Sequence, residues 1–169
     1  MGMIVTTFHS PLGQMKLCSD GTYLTAVTFV GPKYEERHIP GDAGSGRCPV
    51  LAQTKLWLRQ YFDGELPDFL PPMKPAGTPF QQAVWNLLLQ IPYGETITYG
   101  ELARRLDCKS AQAVGGAVGK NPISILIPCH RVVGANGKLT GYAGGLEKKE
   151  FLLVLEKHNR VNCKMKLDT

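Results

Sequence analysis

No apolar run in this 169-residue sequence approaches the length needed to cross a bilayer, and no charged-then-apolar leader opens it. Both absences argue against a membrane-spanning or exported protein. Cysteine is sparse and odd in number: Cys18, Cys48, Cys108, Cys129 and Cys163 make five, and no two form a C-x-x-C pair. Such a set excludes a disulfide scaffold and points to a reducing, intracellular setting. Internal repeats and low-complexity tracts are missing, which removes solenoid and linker architectures. Gly2 and Thr6 fit a myristoylation pattern, but we discount it because the chain continues directly into strand-like sequence.

What is present fits one large globular domain or two small ones, with 43% hydrophobic residues available for a core. The net charge of +5 is unevenly placed. Residues 1–76 carry seven Lys/Arg and seven Asp/Glu; residues 77–169 carry twelve and seven. A solvated basic surface explains this, and so does a polyanionic partner such as nucleic acid, for the second half only.

A boundary falls near the same place. Five prolines lie between Pro67 and Pro79, which reads as a stiff linker. Before it, Met3–Phe8, Gln14–Cys18 and Tyr23–Phe29 read as strands joined by Ser-Pro-Leu-Gly and Ser-Asp-Gly turns. A Gly-rich loop leads to a helix from Pro49 to Phe62, where Val50, Thr54, Trp57 and Tyr61 share a face and Asp63-Gly64 ends it. The first half is thus a small α/β unit without evident chemistry.

The second half opens on a helix capped by Thr78, with Pro79 at its first position and Gln81 completing a capping box. Phe80, Val84, Leu87 and Leu88 make its expected buried stripe. Thr98 and Glu101 predict another capping box, with Leu102, Ala103 and Leu106 facing inward. Ser110 caps a following helix that ends near Gly119, and Asn121-Pro122 stops it. Two short helices joined by a tight turn make a helix-turn-helix. Its second helix presents Ala111, Ala113, Gly115, Gly116, Ala117 and Gly119, with only Gln112 and Lys120 long and polar. Interior glycine costs about 1 kcal/mol relative to alanine. Two explanations stand: close helix packing, or a thin helix that enters a minor groove roughly 6 Å wide. A phosphate-loop reading of Gly115–Asn121 fails, because the spacing is one residue short and Asn121 replaces the required Ser or Thr.

The chemistry concentrates in "ILIPCHRVVG", Ile125–Gly134. A lone cysteine between apolar, strand-like runs is more often structural than reactive. Here His130 supplies an adjacent base, Pro128 constrains the backbone, and Glu156 ends a helix-like segment, Leu146–Lys157, from which it can orient the imidazole. Histidine backed by a carboxylate is a standard means of drawing a thiol toward thiolate. Neighbouring side chains in extended backbone point apart, so the proton is expected to travel through a bridging water.

The run Pro128-Cys129-His130-Arg131-Val132-Val133 resembles the signature of the O6-alkylguanine-DNA alkyltransferase family. "TYGELA", "AVGGAVGKNPISILIPCHRVVG" and "GYAGGLEKKEFLLVLE" resemble that family in order and without gaps, from Thr78 to Glu156. The resemblance implies an α+β fold: a ribonuclease-H-like α/β domain over residues 1–76, then a mostly helical domain over 77–169 with a winged-helix-like helix-turn-helix. It implies Cys129 as alkyl acceptor, His130 as its base through water, and Glu156 polarising His130. Asn121 matches a hinge between the recognition helix and the cysteine segment. Tyr99 matches a donor to guanine N3. Tyr142 and Ala143 match the base pocket, with Ala143 N–H toward O6, and the carbonyls of Cys129 and Val132 toward the exocyclic amine; Thr98 falls beside this set. Ala111, Gln112, Ala113, Gly115, Gly116 and Lys120 match the DNA face, which enters the minor groove.

The implied function is stoichiometric, single-turnover transfer of an alkyl group from O6-alkylguanine, and O4-alkylthymine, in double-stranded DNA to Cys129 after base flipping. No metal or soluble cofactor is expected, and a monomer in the cytoplasm, or nucleus, suffices. In much of the family Gln112 is an arginine that fills the gap left by the flipped base; glutamine is shorter and uncharged, which bears on base extrusion and not on the chemistry. Some members carry an N-terminal zinc site, but Cys18, Cys48, His9 and His38 lack a recognised ligand spacing. Two rivals remain. A cysteine hydrolase would use the same pair with many turnovers and an oxyanion hole. A non-catalytic DNA-binding module would not need the Cys–His–Glu set.

Overall fold

The computed structural model describes residues 2–31, 38–142 and 144–167, with side chains through residue 160. The architecture is α+β, and it separates into two compact units: Met1–Ala76 with Pro122–Leu126, and Gly77–Asn121 with Ile127–Thr169. Among the described residues no helix is long and apolar enough to cross a membrane.

In the first unit, β1 (Ile4–Ser10), β2 (Gly13–Ser19) and β3 (Leu24–Phe29) form an antiparallel meander. A two-residue β4 (Gly44–Ser45) from the Gly-rich loop adds in parallel to β1, so the order is β3-β2-β1-β4. The turns form for local reasons. Ser10 Oγ donates to Gly13 O at 2.7 Å, and the Asp20 carboxylate accepts from the backbone N–H groups of Thr22 and Tyr23 at 2.9 and 2.7 Å. Helix α1 (Pro49–Phe62) buries Val50, Thr54, Trp57 and Tyr61 as its periodicity predicts, and the Trp57 and Tyr61 rings stack at 5.3 Å.

The proline-rich stretch is not a free linker. Leu24 N donates to Pro72 O at 2.8 Å and Lys74 N to Leu24 O at 2.9 Å, so this segment lies along β3. Proline tolerates an edge position, and the amides between the prolines remain available for pairing. Residues 122–126 join the same unit: Val27 N donates to Pro122 O and Ser124 N to Val27 O, both at 3.0 Å. Within that strap the buried Ile125 has φ +73°, a left-handed conformation that a β-branched residue rarely holds.

The second unit is mostly helical: α2 (Pro79–Leu88), α3 (Tyr99–Arg105), α4 (Ala111–Gly119) and α5 (Leu146–Leu167). Short strands β5 (Ile97–Thr98) and β6 (Val132–Val133) pair in parallel. The Thr78–Gln81 box closes in both directions, at 3.2 and 2.9 Å. The second box is half made. Thr98 Oγ1 accepts from Glu101 N at 3.1 Å, but the Glu101 carboxylate turns to Arg104 and Arg105. Ser110 caps α4 through Ala113 N at 3.0 Å.

Three expectations need correction. Phe80 is exposed, and Trp85 takes its place in the core of α2, with Nε1 donating to Ala117 O at 2.9 Å. Phe80 stands in the first helical turn, where the chain has not yet swung against α4. Cys129–Arg131 forms a 3-10 turn between Pro128 and β6 in place of extended strand. Helix α5 runs ten residues beyond Lys157, so Glu156 lies mid-helix and not at an end.

Candidate active site

Cys129 opens the 3-10 turn and is buried, with 7% of its surface exposed. It borders a cavity of about 130 Å³, comparable to the roughly 150 Å³ that admits a benzene ring. Helix α3 contributes Tyr99 to its wall and α4 contributes Gly115, Val118 and Gly119. Asn121, Gly141 and Tyr142 complete it.

The residue that follows Cys129 begins a buried chain of polar groups. His130 is fully buried, and its Nε2 meets Glu156 Oε2 at 2.5 Å. The carboxylate is thoroughly held. Glu156 Oε1 accepts from Arg131 Nε at 2.7 Å and from Gly94 N at 3.1 Å, while Oε2 also accepts from Arg131 Nη2 at 3.2 Å. Burial alone would raise its pKa, but the bonds and charges of His130 and Arg131 outweigh it and hold the group at about 2. As carboxylate it can only accept, so Nε2 carries the hydrogen and His130 Nδ1 is left as the lone-pair nitrogen. Nδ1 is buried and has no protein partner. Burial lowers the His130 pKa, and Arg131 and Lys149 lower it further against the pull of Glu156.

The thiol departs from expectation. Burial pushes Cys129 upward, with a side-chain hydrogen bond from Asn121 and the charge of Lys149 opposing the rise. Burial thus favours the neutral thiol. Asn121 also donates Nδ2 to Ile127 O at 2.8 Å, which ties the end of α4 to the segment entering Cys129. Tyr99 donates its hydroxyl to Thr140 O at 3.3 Å, and burial raises its pKa.

Other site expectations divide. Thr98 is the cap of α3, its hydroxyl engaged by Glu101 N. Val132 is buried in β6, and its N–H donates to Cys129 O, which retains one lone pair. Ala143 lies outside the described residues. On α4, Ala111, Gln112, Ala113, Gly116 and Lys120 are exposed, whereas Gly115 faces the cavity. A Cβ built at Gly116 or Gly119 would meet nothing within 4 Å, so close helix packing does not account for either glycine.

Sequence reasoning missed Lys149. It is fully buried, donates Nζ to Thr140 O at 2.7 Å and Gly141 O at 3.1 Å, and sits 5.8 Å from the Tyr99 ring centre. A lysine on the expected inner face of an amphipathic helix was the available signal. Arg131's acidic partner, unassigned from sequence, is Glu156. Among the described residues no three His, Cys, Asp or Glu side chains cluster in a way that could hold a metal ion.

The chain also matches known proteins along most of its length. Residues 79–158 match the model of the 6-O-methylguanine DNA methyltransferase DNA-binding domain, and residues 3–75 match that family's ribonuclease-like domain. A methylated-DNA–protein-cysteine methyltransferase from Haemophilus influenzae is 48% identical over 154 residues, covering 90% of this chain and 85% of that protein. One from Methanosarcina acetivorans is 47% identical, covering 91% and 98%. The crystal structure of Mycobacterium tuberculosis OGT in complex with DNA superposes with a TM-score of 0.82 at 42% identity, covering 92% of this chain and 94% of that one. With both of its domain models matched along the chain, and relatives at this level of identity over nearly their whole length, this protein belongs to the 6-O-methylguanine DNA methyltransferase family.

Proposed function

We propose that this protein repairs double-stranded DNA by moving the alkyl group of O6-alkylguanine, and of O4-alkylthymine, onto Cys129, irreversibly and once per molecule. The observation that carries the assignment to Cys129 is its place at a ring-sized cavity, one residue before a buried His130 paired with Glu156.

The O-alkyl carbon is hidden inside the duplex, so the nucleotide must be extruded at a cost of a few kcal/mol in lost stacking. Helix α4 enters the minor groove with Ala111, Ala113, Gly116 and Gly119, whose missing side chains let backbone approach backbone. Gln112 follows the base outward and hydrogen-bonds the orphaned cytosine, and Lys120 meets phosphate. Tyr142 lines the base pocket.

Chemistry then proceeds as an in-line displacement. The Cys129 proton passes through water to His130 Nδ1, and Glu156 stabilises the imidazolium that forms. The sulfur bonds to the alkyl carbon while the carbon–O6 bond breaks, and its electron pair enters the purine. Tyr99 gives its proton to N3, so guanine leaves neutral; the His130 proton returns to the phenolate through solvent. The thioether product has no good leaving group, which limits each molecule to one event. Acting on DNA through a free thiol, the protein works in the cytoplasm, or in the nucleus of a eukaryotic cell, and one copy suffices.

The test is to mix the protein with a duplex containing O6-methylguanine and weigh the protein afterwards. A gain of one methylene on Cys129, absent in Cys129→Ser, is expected. Product formation well beyond one equivalent would reject the reading in favour of a turnover enzyme.

A further inference from the structure

Arg131 and Glu156 form an ion pair within the buried cluster that holds His130. The guanidinium forks the carboxylate through Nε at 2.7 Å and Nη2 at 3.2 Å, and its third nitrogen, Nη1, donates to Ile91 O at 2.7 Å. The Tyr93 ring covers it, 5.6 Å away. Every guanidinium nitrogen is engaged, and only a tenth of the Arg131 side chain is exposed.

We propose that Arg131 is a positioning residue that keeps His130 neutral with its hydrogen on Nε2, so that Nδ1 stands open to receive the Cys129 proton. This rests on the alkyl-transfer reading for its purpose, and on geometry alone for its content. A buried imidazole against an unpaired carboxylate is drawn to the doubly protonated form, and a doubly protonated ring cannot act as a base. Arg131 cancels the carboxylate charge. Neutral His130 leaves the Arg131–Glu156–His130 set itself with no net charge, whereas a resting imidazolium would add a second unbalanced positive charge beside the Lys149 ammonium. Of the charged groups facing His130, Arg131 and Lys149 favour the neutral ring and Glu156 opposes them. From α5 come Glu156 and the Lys149 ammonium, from its own turn Arg131; α2, the other helix packed on that turn, carries no ionisable side chain. The turn from Ile91 to Glu95 contributes the Ile91 carbonyl, the Gly94 amide and the Tyr93 ring, with Glu95 its remaining ionisable group.

The test reads the His130 ring nitrogens against pH in uniformly labelled full-length protein by long-range proton–nitrogen correlation, and in parallel the single-turnover rate of methyl transfer. In the wild type, Nε2 is expected protonated and Nδ1 bare at neutral pH and below the range where free histidine charges. Arg131→Met should move both the ring titration and the acid limb of the rate upward by about one pH unit or more. Arg131→Lys, which keeps the charge but loses the fork, should leave the titration near the wild-type midpoint even if the rate falls. Equal midpoints in wild type and Arg131→Met, or equal shifts in the Met and Lys variants, would overturn the proposal. Should Arg131→Met fail to fold, the wild-type spectrum decides by itself: an imidazolium at neutral pH rejects the idea. A neutral Nε2–H ring in a protein that transfers no methyl group would instead reject the alkyl-transfer reading and leave this one standing.

Discussion

Lys149 Nζ donates to the carbonyl of Thr140 at 2.7 Å, and the same carbonyl accepts the Tyr99 hydroxyl at 3.3 Å. One buried cation thereby fixes the backbone leading into Tyr142 and, through a shared acceptor, the ring of Tyr99. Its charge also reaches Cys129, where it opposes the upward push of burial. Burial in turn lowers the Lys149 pKa, and the cysteine's charge raises it, so the two groups favour each other's ionised form.

Lys149→Met should therefore slow methyl transfer at neutral pH by on the order of tenfold. The loss should shrink as pH rises, because hydroxide then does part of what the ammonium did for the thiol. Single-turnover rates across pH check this; a loss of equal size at every pH would mean that Lys149 acts only by holding the 140–141 backbone.

Gln112 is exposed at the start of α4, where a longer cationic side chain has room. Gln112→Arg should speed repair within duplex DNA, because guanidinium can fill the vacated stack, and should leave the reaction with a free O6-alkylguanine base unchanged. Comparing the two substrates isolates extrusion from chemistry.

Acid should destabilise the protein in two stages. His130 has a folded pKa below its ordinary 6.5, so as pH falls through that value the unfolded chain gains a proton that the native state does not. Its contribution is complete above 6.5 and is lost as pH falls. Glu156, ordinarily near 4.5, is held at about 2, so its contribution is complete above 4.5 and is lost toward 2. Urea unfolding from pH 8 to pH 3 should show both declines, and His130→Asn should remove the first. Flat stability between pH 7 and pH 5 would contradict a buried neutral imidazole.

Trp85→Phe should destabilise the protein by about 0.5–1.5 kcal/mol, since it removes the indole hydrogen bond to the Ala117 carbonyl and leaves that group only the Lys120 amide at 3.2 Å. Denaturant titration measures this. Gly77→Ala should also destabilise, because a Cβ there would collide with the Trp85 ring.

Local chemistry was the part of the fold legible in the sequence. Thr78, Ser110 and the Pro49 start could be placed because a cap or a first-turn proline acts on its own helix within three or four residues. The Cys129–His130–Glu156 set was legible as residue types, and the order of the family's segments gave the rest. What stayed hidden depends on chain segments far apart. Arg131 and Glu156 lie 25 residues from each other, and nothing along the chain between them marks the pairing. Trp85 rather than Phe80 fills the core because its indole reaches Ala117, 32 residues on. The proline-rich strap looked free because prolines announce stiffness and say nothing of the amides between them.

A buried sulfur held toward the neutral thiol is also a poor target for peroxide and for stray electrophiles, which attack the thiolate. For a molecule that, as proposed, is consumed by a single event, that reticence preserves the stock. The number of intact copies in a cell then records lesions met, and not the general chemical weather, so the remaining active fraction becomes a dosimeter for alkylated bases.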